Sequence, residues 1–217
     1  MSTDQSNPYL FRGLLCAIAV IGLILAALLY PSVARYYFVK ANRDKIFEAV
    51  ALGTVEKVKY FIERGVSVNV KDPTGTPLIY WAARYNPDVN VMKYLIDNGA
   101  DVNAKDIHGQ TTPLHQVIIW SDNPGMAKIL IDNGADVNAK DDLGRTPLHC
   151  VTGYSPSSPF FPPIKVLKYL IEKGADVNAK DNNGQTPLDY VSGNSGNDEM
   201  EAILREAGGK RGEELPE

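Results

Sequence analysis

The sequence predicts an all-α solenoid of short helix-turn-helix units with hairpin-like turns, preceded by one transmembrane helix. Three observations carry that expectation. The phrase GADVNAKD recurs unchanged at residues 99–106, 134–141 and 174–181, and a looser copy, GVSVNVKD, begins at Gly65. A second phrase follows each copy and ends in Pro77-Leu78, Pro113-Leu114, Pro147-Leu148 or Pro187-Leu188. Ahead of them all, Gly13–Tyr30 runs for 18 residues without a charge. Successive phrase starts lie 34, 35 and 40 residues apart, so one small unit is used repeatedly, with insertions.

After a tail of residues 1–12, the apolar run comes first. As a helix, Gly13–Tyr30 would rise about 27 Å, near the hydrocarbon thickness of a bilayer. Tyr9 and Phe11 precede it, and Tyr30, Tyr36, Tyr37 and Phe38 stand at or after its end, as an aromatic belt would. The competing reading is a cleaved signal peptide, which would leave the protein periplasmic or secreted. Ser32-Val33-Ala34 has the small-x-small pattern for it. Against cleavage, Arg35 would follow the cut directly, and Arg12 is the only basic side chain before the run. An uncleaved anchor is therefore expected. Arg35, Lys40, Arg43 and Lys45 follow the span, which favours cytoplasmic repeats.

Residues 31–43 read as a basic and aromatic juxtamembrane segment. The repeats occupy 44–208, in units of about 44–72, 73–106, 107–141, 142–181 and 182–208, and residues 209–217 form a charged tail. Within a unit, Thr before Pro starts a short helix, because the hydroxyl can take an orphan N–H and proline fits the first helical position. A loop follows, then a second apolar helix such as VMKYLIDNG (Val91–Gly99), whose glycine suits a C-cap with positive φ. The ADVNAKD that remains is expected to be extended. Such a unit is apolar around much of its girth, so neighbours must cover it on both sides.

These phrases resemble ankyrin repeats, whose signature is a turn, T-P-L-H-x-A and two helices in about 33 residues. The match covers Asp44 to Gly208. TPLHCV (Thr146–Val151) is near the pattern, whereas TGTPL is one residue short before its proline and GQTTPL one residue long. The first unit lacks the motif and carries charges, as a terminal cap should. The resemblance implies a protein-interaction scaffold whose partner binds the turn tips and first helices, or, if the signal peptide is cleaved, an exported, periplasmic or host-directed ankyrin-repeat effector. Carried to this chain, the tips include Ile107, His108, Asp142, Leu143, Asn182 and Asn183. Tyr80, Trp81 and Trp120 are either aromatic anchors for that partner or packing residues between repeats.

Composition narrows the partner. Residues 1–72 hold nine Lys/Arg and six Asp/Glu, and residues 73–217 hold thirteen and twenty, a balance of +3 against −7. An acidic repeat region argues against nucleic acid, which needs clustered cations. Two cysteines, Cys16 and Cys150, make no disulfide framework. His115 and His149 occupy equal slots in successive repeats, too far apart to share a zinc and suited to bonding a neighbouring turn. No phosphate loop, metal motif or nucleophile elbow appears, so no catalysis, cofactor or small-molecule substrate is expected. The widest departure is GYSPSSPFFPPIK (Gly153–Lys165), a loop whose four prolines oppose helix. Its Phe160 and Phe161 either fold onto the stack or dock a partner or lipid.

Overall fold

The computed structural model describes residues 31–121, 123–153, 163–192 and 198–216. The expected transmembrane segment 13–30 and the Phe160-Phe161 pair lie outside the described residues. Among the described residues, no helix is long and apolar enough to cross a membrane.

Eleven α-helices are described: α1 (Pro31–Asn42), α2 (Lys45–Leu52), α3 (Val55–Ile62), α4 (Leu78–Tyr85), α5 (Val89–Asp97), α6 (Pro113–Trp120), α7 (Pro124–Asp132), α8 (Pro147–Thr152), α9 (Pro163–Glu172), α10 (Pro187–Ser192) and α11 (Asp198–Glu206). The basic and aromatic segment 31–43 is thus helical over most of its length. A last 3-10 turn spans Gly212–Glu214. The helices pair in order, α2 with α3 through α10 with α11, and like packs on like along the stack. The even-numbered helices α2 to α10 make one row and α3 to α11 the other. Among the described residues there is no named strand, only an isolated antiparallel bridge between Lys71 and Pro77.

Packing explains the two rows. The Leu of each Pro-Leu (Leu78, Leu114, Leu148 and Leu188) is fully buried. Second helices bury the same slots: Val91, Met92 and Leu95 in α5, Met126, Ala127 and Leu130 in α7, Val166, Leu167 and Leu170 in α9. This spacing of one and four residues is one helical face. Every such face is closed by the next unit, which is why one unit alone would not fold.

The eight repeated letters each hold a place in the joint between units. Gly99, Gly134 and Gly174 have φ of +84°, +88° and +88°, the left-handed conformation that ends a helix. Ala100, Ala135 and Ala175, and Val102 and Val137, are buried in the seam. The stretch ADVN is a turn rather than the expected extended segment, because Asp101 Oδ1 accepts the Asn103 N–H at 2.9 Å and bends the chain. Asparagine then bridges units. Asn69 Nδ2 donates to Gly99 O and its Oδ1 accepts the Asp101 N–H. Asn103, Asn138 and Asn178 repeat the pattern onto Gly134, Gly174 and Gly208. Lysine makes a parallel ladder, Lys105 Nζ donating to Lys140 O and Lys140 Nζ to Lys180 O.

The final Asp cradles the turn. Asp141 Oδ1 accepts N–H groups of Leu143 and Arg145 while Oδ2 meets the Arg145 guanidinium. Asp72 and Asp181 do likewise, with Trp81 Nε1 and the Tyr190 hydroxyl on the second oxygen. The two irregular turns are absorbed locally. In the short one, Pro77 is the extended residue before α4 rather than its first turn. In the long one, Asp106 pairs with Thr111 across one extra residue, and Gln110 takes φ +52° where other turns use Gly75, Gly144 or Gly184. The loop after Gly153 ends earlier than its prolines suggest, since α9 already begins at Pro163. The residues after Gly208 pack back on the last unit: Lys210 O accepts from Thr186 Oγ1, and Arg205 pairs with Glu214.

Candidate partner-binding face

The groups with chemical potential are held in structural work. His115 Nδ1 accepts the Thr112 N–H at 3.2 Å and lies 2.9 Å from the Thr112 hydroxyl. A nitrogen that accepts leaves Nε2 protonated, and Nε2 points at Arg145 O of the next turn, 3.2 Å away. His149 repeats this with Thr146 and Gln185 O. The reading of these histidines as bonded to the neighbouring turn agrees with that geometry. At the start of these helices an imidazole reaches back to the N-cap Thr, in the place where Glu or Gln is usual. Asp189 takes the slot in α10, accepting from Thr186 N at 2.8 Å.

Burial is the main influence on both imidazoles and holds them below the usual histidine value, so they are neutral at pH 7. Burial also pushes the Cys150 thiol up to about 12, which removes its thiolate as a nucleophile at neutral pH. Among the described residues, no group of three His, Cys, Asp or Glu is arranged to hold a metal ion.

The exposed side of the first-helix row is different. Trp81 is half-buried between Phe47 and Tyr85, with ring centroids 5.7 and 5.3 Å away, and its indole N–H is used by Asp72. Arg84 then joins α4 to α6. Its Nε donates to the Tyr85 hydroxyl at 2.8 Å, its Nη1 to Gln116 Oε1 at 3.3 Å, and its guanidinium lies 4.3 Å from the Trp120 ring centre. Tyr85 and Trp120 remain 48% and 56% exposed, which leaves two large rings available to a partner. Arg84 and Tyr85 were not among the residues singled out from sequence. The available signal was helical spacing, since Tyr85 follows Trp81 by four residues.

The turn tips divide. Asp142 N–H donates to Gly109 O, and Asn182 uses its N–H on Leu143 O and its side-chain amide on Asp142 O. Those two tip residues are engaged in stacking one turn on the next. Ile107 and Leu143 stay 59% and 51% exposed, although Ile107 also lies over Gly75 of the previous turn. His108 and Asn183 are exposed, each with its N–H on the carboxylate of its own turn. Tyr80 is half-buried beside Thr111 and Arg84, and burial raises its hydroxyl above the usual range.

A family model, described as ankyrin repeats in three copies, matches residues 25–106, 46–141 and 114–211. The chain belongs to the ankyrin-repeat family. No match is found among curated proteins. For this ankyrin-repeat chain, the family indicates a protein-interaction role, and the exposed rings and apolar tips lie on the helices and turns through which that role was expected.

Proposed function

We propose that this chain is a membrane-tethered, non-catalytic scaffold that holds a protein partner against its first-helix row. The carrying observation is the Trp81–Tyr85–Arg84–Trp120 row. It puts two exposed rings and a cation across α4 and α6, and Ile107 and Leu143 are exposed at the turn tips. Aromatic and arginine side chains are the residues from which binding hot spots are usually built. Phe160 and Phe161, from the proline-rich stretch after Gly153, are proposed as a further docking point.

The tether is the apolar run Gly13–Tyr30, with the repeats cytoplasmic because Arg35, Lys40, Arg43 and Lys45 follow it. One structural feature supports an anchor over a cleaved leader. Ser32-Val33-Ala34 lies in α1, whose Phe38 and Val39 pack against the core, so the cleavage pattern sits in a helix belonging to the stack.

Two measurements test the proposal. Protease protection of the full chain should leave the repeats inaccessible from outside the cell, and the N-terminal mass should be that of the uncleaved chain. Affinity capture with the full chain should lose its specific partner when Trp120→Ala and Tyr85→Ala are combined. Unchanged capture by a folded double variant would move the binding face elsewhere, and external repeats would sink the orientation.

A further inference from the structure

The end of the stack nearest the apolar run is positive and only partly covered. Residues 31–72 carry eight Lys/Arg and five Asp/Glu, a balance of +3 against −7 for residues 73–217. Within the stack, each first helix from α4 onward packs against the first helix of the unit before it. At the N-terminal end, α1 packs on α3, with Phe38 centroids 5.8 Å from Tyr60 and 6.3 Å from Phe61. A groove of about 520 Å³ lies open between α2 and α3, with Ala49, Leu52, Tyr60 and Phe61 among its walls and Lys45 and Lys57 beside them. Leu52 is 79% exposed there, the most exposed large apolar residue described.

The position of this face relative to α1, the helix that follows the run in sequence, is fixed by contacts. α1 has 12 residues, a rise of about 18 Å. It cannot swing freely, because Phe38 is wedged against α3, and Arg43 Nη2 just beyond it donates to Lys71 O at 3.1 Å. The face and the end of the run at Tyr30 are therefore joined by one short, packed element.

We propose that this open N-terminal face rests on the headgroup layer of an anionic membrane. Leu52 and Tyr60 enter the interfacial layer, where amphipathic rings and apolar side chains are favoured. Arg35, Lys40, Arg43, Lys45, Lys57 and Arg64 supply the attraction to lipid phosphates. Glu48 and Glu56 line the same groove, so the attraction comes from the surrounding cations and not from the groove alone. The inference rests on the anchor proposed above. It makes the solenoid a fixed post standing on the membrane, with its acidic units directed away.

The test uses the full chain in phosphatidylcholine vesicles containing phosphatidylserine and brominated acyl chains. Leu52→Trp is expected to show a blue shift and a loss of emission beyond those of the unmodified chain, whose own Trp81 and Trp120 set the background. Lys45→Glu with Lys57→Glu should reduce that quenching, and raised salt should reduce it too. Three results would overturn the proposal, each differently. A chain that resists carbonate extraction while residue 52 is open to aqueous iodide keeps its anchor and loses the surface contact. Shielding of residue 52 from both lipid and iodide would mean that a second copy, or the apolar run itself, fills the groove. Release by carbonate would remove the anchor and this contact together.

Discussion

At the scale of single residues, the repeated phrase is a set of backbone solutions. Gly134 has φ +88°, and a Cβ there would meet no atom within 4 Å, so the cost of a side chain is conformational and not steric. Gly134→Val should cost on the order of 1–3 kcal/mol. Gly134→Asn should cost less, because asparagine tolerates the left-handed region. Thermal melts of the full chain and both variants check the order, and equal loss would show that packing, not φ, is the constraint. The buried imidazoles give a second residue-scale prediction. Their folded values lie below 6.5, so the unfolded chain binds more protons just below that pH. Their contribution is complete above about pH 6.5 and is lost as pH falls through the lowered folded values. Asp72 and Asp181 follow at lower pH. Burial alone would raise them, but donors such as Thr74, Trp81, Gln185 and Tyr190 outweigh it and hold them below 3.8. The melting temperature should therefore fall in two steps on acidification, and His115→Gln should flatten the first.

At the scale of elements, turn length and helix register were legible only in part. The glycine caps, the paired helices and the buried Pro-Leu positions follow from period and residue type, because each is a local demand on φ or on one helical face. The asparagine and lysine ladders were not legible. They join residues about one repeat apart, and nothing within a unit reveals that Asn103 serves Gly134 of the next. The Arg84–Trp120 contact is hidden for the same reason, since it crosses from α4 to α6. The long turn at Ile107–Thr112 was recognisable as a miscount, but not the residue that would absorb it. Gln110 does so at φ +52°, a conformation costly for residues other than glycine. Gln110→Gly should raise the stability of the chain by about 0.5–1 kcal/mol, relief of backbone strain exceeding the loss of the Nε2 bond to Asp106 O. Urea unfolding checks the sign, and a lower midpoint would place that hydrogen bond above the strain.

At the scale of the whole molecule, the two rows make stability a property of neighbours. Leu130 in α7 and Leu204 in α11 are both fully buried and belong to the same apolar core. Truncating either to alanine removes a similar apolar volume, and a cost of about 2–5 kcal/mol is typical for a buried leucine. The consequences should nonetheless differ, because α7 contacts second helices on both sides whereas α11 has one such neighbour, α9. Loss at Leu204 can be confined by opening the last unit alone, together with the returning residues after Gly208 that bond to it. Loss at Leu130 cannot be confined in this way, since opening the middle unit breaks two interfaces and divides the stack. Hydrogen exchange on the full chain should therefore show Leu204→Ala weakening protection in α10 and α11 while α4 to α7 keep theirs. Leu130→Ala should lower protection across α4 to α9 together. If Leu204→Ala lowers protection equally along the entire chain, the stack opens as one cooperative body, and the nearest-neighbour account of its stability fails.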